Sequence, residues 1–167
     1  MPSTKPVVKC RFVLFGGART FDTLIGPEAA TQTFKRGDIL GFTSGKLRCN
    51  VSAAANLDSS GDEVAGVALR DASGTTDADV PYVPLDTNVG LVLPVTHATP
   101  ASAVTAVTQR GSTFCLERTA AGDWSVPIDD TSNPVCEIRD IDPTYAVGEQ
   151  YGLVHIKIIA AERAVAA

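Results

Sequence analysis

Short apolar runs separated by polar turn residues make up most of the chain, and this spacing predicts β-strands rather than long helices. The clearest example lies in residues 34–71, which contain the runs DILGF and KLRCNV on either side of the polar turn Thr43-Ser44-Gly45. Because a glycine turn of this kind joins neighbouring antiparallel strands, we predict a hairpin here. A loop of small and acidic residues at 53–63 leads into a third apolar run at 64–69. We expect the three runs to form a compact meander that holds shape and presents a surface.

The pattern is weaker in the N-terminal part of the chain. Residues 7–15, VVKCRFVLF, are rich in β-branched and aromatic side chains and predict a strand that stops at a glycine pair. From residue 18 to residue 33 the apolar positions follow no clear period, and Gly26-Pro27 would break a helix. We therefore expect an N-terminal strand and arm, residues 1–33, and a β domain, residues 34–167, within one globular unit. The apolar side chains of the arm either complete the core of this unit or lie on a neighbouring molecule.

The β pattern continues towards the C-terminus. Strands are predicted at residues 79–85, 89–95, 113–118, 124–128, 135–141 and 152–159. The first contains Pro81 and Pro84, and since proline has no N–H to donate, we expect an edge strand or a bulged strand there. The second is more apolar and is expected to run through the core. The third and fourth flank a glycine turn and predict a second hairpin.

Alternation with a period of two predicts which side chains share a face in the last two strands. In residues 135–141 it places one set of side chains on one face, namely Val135, Glu137, Arg139 and Ile141. In the closing strand it predicts a buried face formed by Val154, Ile156 and Ile158.

One helix is predicted, over residues 99–111. Thr99 can cap its start, Pro100 suits the first helical position, and Gly111 suits the left-handed residue beyond its end. Regularly spaced strands with a single short helix are typical of all-β folds. We therefore predict an antiparallel β-barrel or β-sandwich with one short helix and an N-terminal arm.

Composition and charge narrow the range of partners. The 167 residues suit a single domain, with 44% hydrophobic and 20% charged residues and a net charge of −5. Phosphate binding needs clustered Lys and Arg, and the densest basic patches here are only Lys35-Arg36 and Lys46 with Arg48, which we interpret as solubilising charges at strand ends. We therefore do not expect nucleic acid as a partner. No run approaches the roughly 18 apolar residues of a spanning helix, so we do not expect a membrane partner. The N-terminal apolar stretch is too short for a convincing signal peptide, so synthesis in a cytoplasm is expected.

Residues with catalytic or metal-binding chemistry are few and scattered. The four cysteines, Cys10, Cys49, Cys115 and Cys136, form no CxxC pair and read as buried free thiols rather than a disulfide framework. His97 and His155 read as surface or capping groups, and no G-x-S-x-G nucleophile pattern occurs. The acidic pairs match no calcium loop and read as solvated loops. We therefore expect no catalytic residue, no metal site and no cofactor.

The order of these segments resembles the head decoration, or capsid cement, proteins of tailed bacteriophages. The resemblance is carried by FKRGDILGFTSGKL, EVAGVALRDA, ADVPYVPL, GSTFCLERTAAGDWSVP, VCEIRDIDP and GLVHIKII, and it covers roughly residues 34–159. It implies a β-barrel or β-sandwich that binds the outside of the head shell across capsomer boundaries and stabilises it. The implied partners are the major capsid protein and further copies of the chain, as a trimer or dimer, and the implied location is the exterior of the virion. The family has no active-site residues to carry over.

Contact with a neighbour is expected from large apolar side chains near the N-terminus and from one tryptophan. These candidates are Phe12, Phe15, Phe21, Leu24, Ile25 and Trp124. Trp124 stands beside a turn, where it could also stack on a sugar or close the core. The nearest alternative function is a tail-tube or baseplate-associated protein of the same virion. A carbohydrate-binding β-sandwich is more distant, since it would need several exposed aromatic side chains on one face, and an enzyme is the least expected class.

Overall fold

A computed structural model describes residues 11–17, 20–49, 63–86, 88–119 and 122–159, together with the backbone of 55–57. Of the described residues, 46% are in strands and 5% are helical. The strands form a nearly closed, barrel-like sheet and a separate antiparallel sheet. The predicted all-β class is therefore confirmed, and no long helix occurs among these residues.

The strands of the described ranges are numbered in chain order. They are β1 (Arg11–Leu14), β2 (Leu24–Pro27), β3 (Ile39–Thr43), β4 (Lys46–Arg48), β5 (Ala55–Leu57), β6 (Glu63–Ala68), β7 (Asp79–Pro84), β8 (Val89–Thr96), β9 (Thr113–Phe114), β10 (Leu116–Arg118), β11 (Trp124–Pro127), β12 (Cys136–Ile141) and β13 (Leu153–Ile158). The larger sheet has the order β5-β10-β11-β8-β13-β12-β9, and β1 also pairs with β8. The smaller sheet has the order β2-β7-β6-β3-β4.

Strand β8 is the centre of the larger sheet. All eight of its residues, VGLVLPVT, are buried. One edge of β8 pairs first with β1 and then with β11, while β13 lines the other edge. A strand covered on both faces and both edges must be apolar throughout, which is the pattern that its sequence shows.

The buried apolar side chains form two clusters, and the larger one is shared by both sheets. The larger cluster includes Leu91, Leu93, Ile138 and Ile156, and it also contains Val64, Val67 and Val83 from the smaller sheet. The second cluster lies within the smaller sheet and comprises Phe34, Leu40, Leu47, Ala65, Ala68, Val80 and Tyr82. The two outer strands of the smaller sheet meet at one end, where Glu28 forms a parallel bridge with Leu47. The predicted buried face of β13 is confirmed, since Val154, Ile156 and Ile158 are at most 1% exposed.

The central hairpin is confirmed, but the meander is wrong. Strands β3 and β4 pair across Ser44-Gly45. Both turn residues have positive φ angles, 52° and 74°, as a two-residue type I′ hairpin turn requires. The third run, β6, then pairs with β3 instead of β4. Strand β3 is therefore an interior strand of the smaller sheet. Within the predicted loop, β5 pairs with β10 of the larger sheet, and residues 50–54 and 58–62 lie outside the described part of the chain.

The edge position predicted for β7 is also wrong, because β2 covers its outer side. The two prolines are tolerated because each lies where the ladder on the side of its nitrogen ends. The carbonyl of Pro81 accepts a hydrogen bond from the N–H of Leu69, just beyond the paired part of β6. Pro84 lies beyond the residues of β7 that pair with β2. Sequence analysis assigned residues 24–27 to an irregular arm, so the strand that covers β7 was missed.

The single helix predicted over 99–111 is not found. Two 3₁₀ turns, Pro100–Ser102 and Val107–Gln109, stand in its place, and Thr99 makes no side-chain cap. Between the turns the backbone is extended and bonds to the loop before β13, through the Val104–Gln150 bridge and the Thr105–Glu149 hydrogen bond. The β-branched side chains of Val104 and Thr105 lower the helix propensity of this stretch, so these backbone bonds prevail.

The strict alternation predicted for residues 135–141 fails at a bulge in β12. The register with β13 shifts between Ile138 and Asp140, so that Arg139 and Asp140 are both exposed. The shift brings Ile141 to the buried side after Ile138. An extra residue on one strand of a pair has this effect, because it reverses the facing of every residue after it.

Asp38 joins the two sheets. It precedes β3 in the smaller sheet and is only 3% exposed, and its carboxylate accepts two hydrogen bonds from the Arg118 guanidinium at 3.2 and 2.8 Å. The same carboxylate accepts from the Trp124 indole N–H at 3.2 Å and from the backbone N–H of Lys35 at 2.8 Å. Since Arg118 and Trp124 belong to β10 and β11, one buried charge fixes the packing of the smaller sheet on the larger.

Asp38→Ala is expected to lower the free energy of unfolding by about 3–5 kcal/mol, because it leaves the largely buried Arg118 without its partner. Urea unfolding followed by circular dichroism measures this loss. Arg139→Ala removes an exposed ion pair with Glu137 and serves as the control, with an expected change of at most about 1 kcal/mol. Equal small losses in the two variants would show that Asp38 does not hold the sheets together.

Candidate interaction surface

An exposed apolar segment leads into the edge strand β2. Phe21, Leu24 and Ile25 are 44%, 38% and 68% exposed. Among the described residues they account for three of the five large hydrophobic side chains that are exposed to this degree. We call residues 20–25 the edge strip. Single exposed apolar residues are ordinary, but three within five positions indicate a contact surface.

The backbone of the edge strip is open because the β2–β7 ladder ends early. Leu24 pairs with Tyr82, and continuing this antiparallel register would place Asp22 opposite Pro84. Residues 83 and 85 bond towards β6, so the nitrogen of Pro84 points towards β2, where it has no hydrogen to donate. The ladder therefore stops at Leu24, and within the described residues the backbone of 20–23 makes no hydrogen bond.

The outer edge of β2 is open as far as Ile25. The N–H and C=O of Glu28 bond to the segment before β7, so by alternation the polar groups of Gly26 also face β7 and those of Ile25 face away. Beyond Pro27 this outer side is occupied, because the N–H of Ala29 donates to the carbonyl of Leu47 at 2.9 Å. The accessible backbone edge is therefore confined to the edge strip.

Phe12 connects this region to the larger sheet, and Phe15 packs on the larger sheet itself. Phe12, in β1, packs partly buried against the main cluster, and its ring centroid lies 5.0 Å from that of Phe21. The Phe15 ring lies over Gly90, where an added Cβ would come within 2.5 Å of the ring and would also overlap the Ile156 carbonyl oxygen. Both rings are partly buried, and Phe12 supports the edge strip through its contact with Phe21.

Trp124 lies apart from this surface. It is 3% exposed, belongs to the main cluster and donates its indole N–H to Asp38. Of the roles considered from the sequence, the structure gives it the one in the core. Its ring is not accessible for stacking on a sugar or a partner.

A polar cleft of about 230 Å³ lies near the end of β8 and is lined by Thr96, His97, Ala98, Glu117, Pro127, Asp129 and Asp130. Its polar groups bond mainly to one another. The Thr96 hydroxyl lies 3.2 Å from the Glu117 carboxylate and 3.3 Å from the Ser125 hydroxyl. His97 accepts from the N–H of Thr99 through Nδ1, at 2.9 Å, and the same atom lies 3.6 Å from Asp129. His97 therefore bonds to the backbone at the start of the first 3₁₀ turn, which has no side-chain cap.

Two further buried carboxylates hold loops in place. Glu28, fully buried, accepts from the backbone and hydroxyl of Ser73 and from the backbone of Gly74, at 2.7–2.9 Å. Asp142, 2% exposed, pairs with Arg11 of β1 and lies 3.3 Å from Nε2 of His155. Burial lowers the pKa of His155, an effect that Asp140 opposes and Arg11 reinforces. Sequence reasoning missed these carboxylates, because each takes its partners from distant parts of the chain.

The described residues contain no group of three or more His, Cys, Asp or Glu side chains arranged to hold a metal ion. None of the helical segments in this part of the chain is long and apolar enough to cross a membrane. In comparisons with known proteins, no family model, no curated protein and no solved structure matches this chain.

The cysteine environments predict selective thiol reactivity. Cys115 and Cys136 are fully buried, and burial raises the pKa of the Cys136 thiol, whereas Cys49 is only partly buried. With iodoacetamide at about pH 8, near the ordinary pKa of a thiol, peptide mapping should find Cys49 modified and Cys115 and Cys136 protected until the protein is unfolded. Modification of Cys136 as fast as Cys49 would contradict the core packing of β12.

Proposed function

We propose that this chain is a decoration protein of a tailed bacteriophage head. It binds the outer surface of the shell across capsomer boundaries, contacts the major capsid protein and stabilises the assembled particle. The proposal begins from the sequence resemblance over residues 34–159 and assigns the chain a binding role without catalysis.

The observation that carries the proposal is the edge strip. Phe21, Leu24 and Ile25 present apolar surface at the edge of a sheet whose interior is otherwise well packed. Apolar surface left in water at one place is the usual mark of a contact site. Within a virion it supplies a contact between the chain and a neighbouring subunit of the repeating assembly.

The two sheets that carry the edge strip suit a binding role. Asp38 joins the two sheets, and β8 is paired on both edges, so the strip stands on a preorganised body that loses little conformational freedom on binding. A shell repeats each binding site many times. Linked contacts across neighbouring capsomers therefore convert a modest affinity for one site into a large stabilisation of the particle.

Heads of the encoding phage, assembled without this chain, are the substrate for the test. Purified protein added to them should appear in electron micrographs as surface density at fixed symmetry positions, and it should raise the temperature at which the heads break. Ile25→Asp should reduce its occupancy about tenfold or more, because it places a charge in an apolar contact.

Val147→Asp is the matched control, since Val147 is also an exposed β-branched apolar residue, at 55%, and lies on the loop before β13. It should bind the heads like the unmodified protein. Purified protein that leaves the heads undecorated and assembles by itself into rings or stacked tubes would replace this proposal with the tail-tube alternative.

A further inference from the structure

The edge strip offers backbone hydrogen bonds as well as apolar side chains, and this limits what can occupy it. The N–H and C=O groups of residues 20–23 make no hydrogen bond within the described structure, and those of Ile25 face outward from β2. Only an extended strand can bond to a row of backbone groups spaced in this way. Natural sheet edges are usually blocked by Lys, Pro or a bulge, whereas here Asp22 is the only charged residue of the strip.

We infer that the occupant is the same strip of a second copy, paired antiparallel about a two-fold axis through Thr23. Continued from β2 into the strip, the alternation gives outward-facing backbone groups to Phe21, Thr23 and Ile25. These three residues are centred on Thr23, so two copies related by a two-fold axis through this residue use all of them. A two-fold axis fixes the register between two identical strands, whereas a strand of unrelated sequence has no register fixed by symmetry.

This register matches apolar side chains to each other. Phe21 lies opposite the partner's Ile25, Ile25 lies opposite the partner's Phe21, and Thr23 faces its own equivalent. Aromatic–β-branched and Thr–Thr pairs are both favourable across antiparallel strands. If the chain keeps the extended course of β2 in the paired state, these odd-numbered residues also carry the outward-facing backbone groups, so the opposed pairs are the hydrogen-bonded ones. The most exposed side chain of the strip is therefore covered by an aromatic ring that Phe12 already supports.

The other face of the paired strands has a different composition. Leu24 lies opposite the partner's Asp22, and the two Asp22 residues are diagonal neighbours, with backbone positions about 7–8 Å apart. Their repulsion is weakened by salt. Self-association should therefore strengthen as the salt concentration rises, and Asp22→Asn should strengthen it at low salt.

This pairing goes beyond the proposed function and can be tested with the protein alone. Sedimentation equilibrium of the full chain, at concentrations up to about 1 mM, should show a reversible monomer–dimer equilibrium. Ile25→Asp should weaken the dimer by about tenfold or more, while the control Val147→Asp leaves it unchanged. Circular dichroism of each variant establishes that it is folded.

A cysteine cross-link tests the register. Equivalent residues on the two-fold axis of a hydrogen-bonded antiparallel pair have Cα atoms about 5.5 Å apart, within reach of a disulfide. Oxidised Thr23→Cys should therefore run as a covalent dimer. Thr131→Cys, at an exposed position in the loop before β12, and the unmodified protein with its own cysteines provide the background level.

The outcomes separate this inference from the proposed function. A dimer that Ile25→Asp weakens and Thr23→Cys traps supports the pairing, whether or not the protein decorates heads. A monomer at every concentration overturns it. A trimer, or a dimer insensitive to Ile25→Asp, also overturns it, as does a strip that binds the head shell directly while the free protein stays monomeric.

Discussion

The pairing of β2 with β7 in the smaller sheet stops before Pro84, whose nitrogen carries no hydrogen to donate. Because Pro84 cannot donate towards residue 22, the β2–β7 ladder ends at Leu24, and the chain before it reaches the surface with its backbone groups unbonded. The exposed side chain of Phe21 lies in this unpaired stretch, beside the exposed Leu24 and Ile25 of β2. The account of this protein as a component of a larger assembly depends on that short open edge.

Buried polar contacts and close backbone packing elsewhere in the molecule hold this edge in place. The Asp38 carboxylate accepts from both Arg118 and Trp124, which locks the smaller sheet to the larger one. Close backbone approach at Gly90 lets β1, β8 and β13 lie together beneath Phe15. Buried Glu28 in turn fixes the loop after β6 through Ser73 and Gly74. Such fully bonded buried charges favour one packing arrangement over others, which suits a body that presents a fixed surface.

Sequence periodicity was sufficient for strands whose burial alternates or is continuous. It predicted the β3–β4 and β10–β11 hairpins, the buried β8 and the inward face of β13. It could not predict β2, because Leu-Ile-Gly-Pro contains two strand-breaking residues and no alternation, and its identity as a strand comes from pairing with β7. The helix over 99–111 failed for a related reason, since local capping signals were outweighed by backbone bonds to residues more than forty positions away.

The candidate surface was only partly predictable from sequence. Phe21, Leu24 and Ile25 were expected to make contacts and are exposed. Trp124 was an equally good contact candidate by residue type, but it is a core residue. What makes the strip distinctive is its open backbone, and this depends on a proline about sixty residues later in the chain. The three buried carboxylates were hidden in the same way, as with the eighty positions that separate Asp38 from Arg118.

Amide hydrogen exchange of the peptide covering residues 20–26, with the β8 peptide as an internal reference, tests the central claim most directly. The account predicts rapid exchange in dilute protein and protection once the protein is concentrated or bound to heads. Exchange that stays equally rapid in all three states would contradict it.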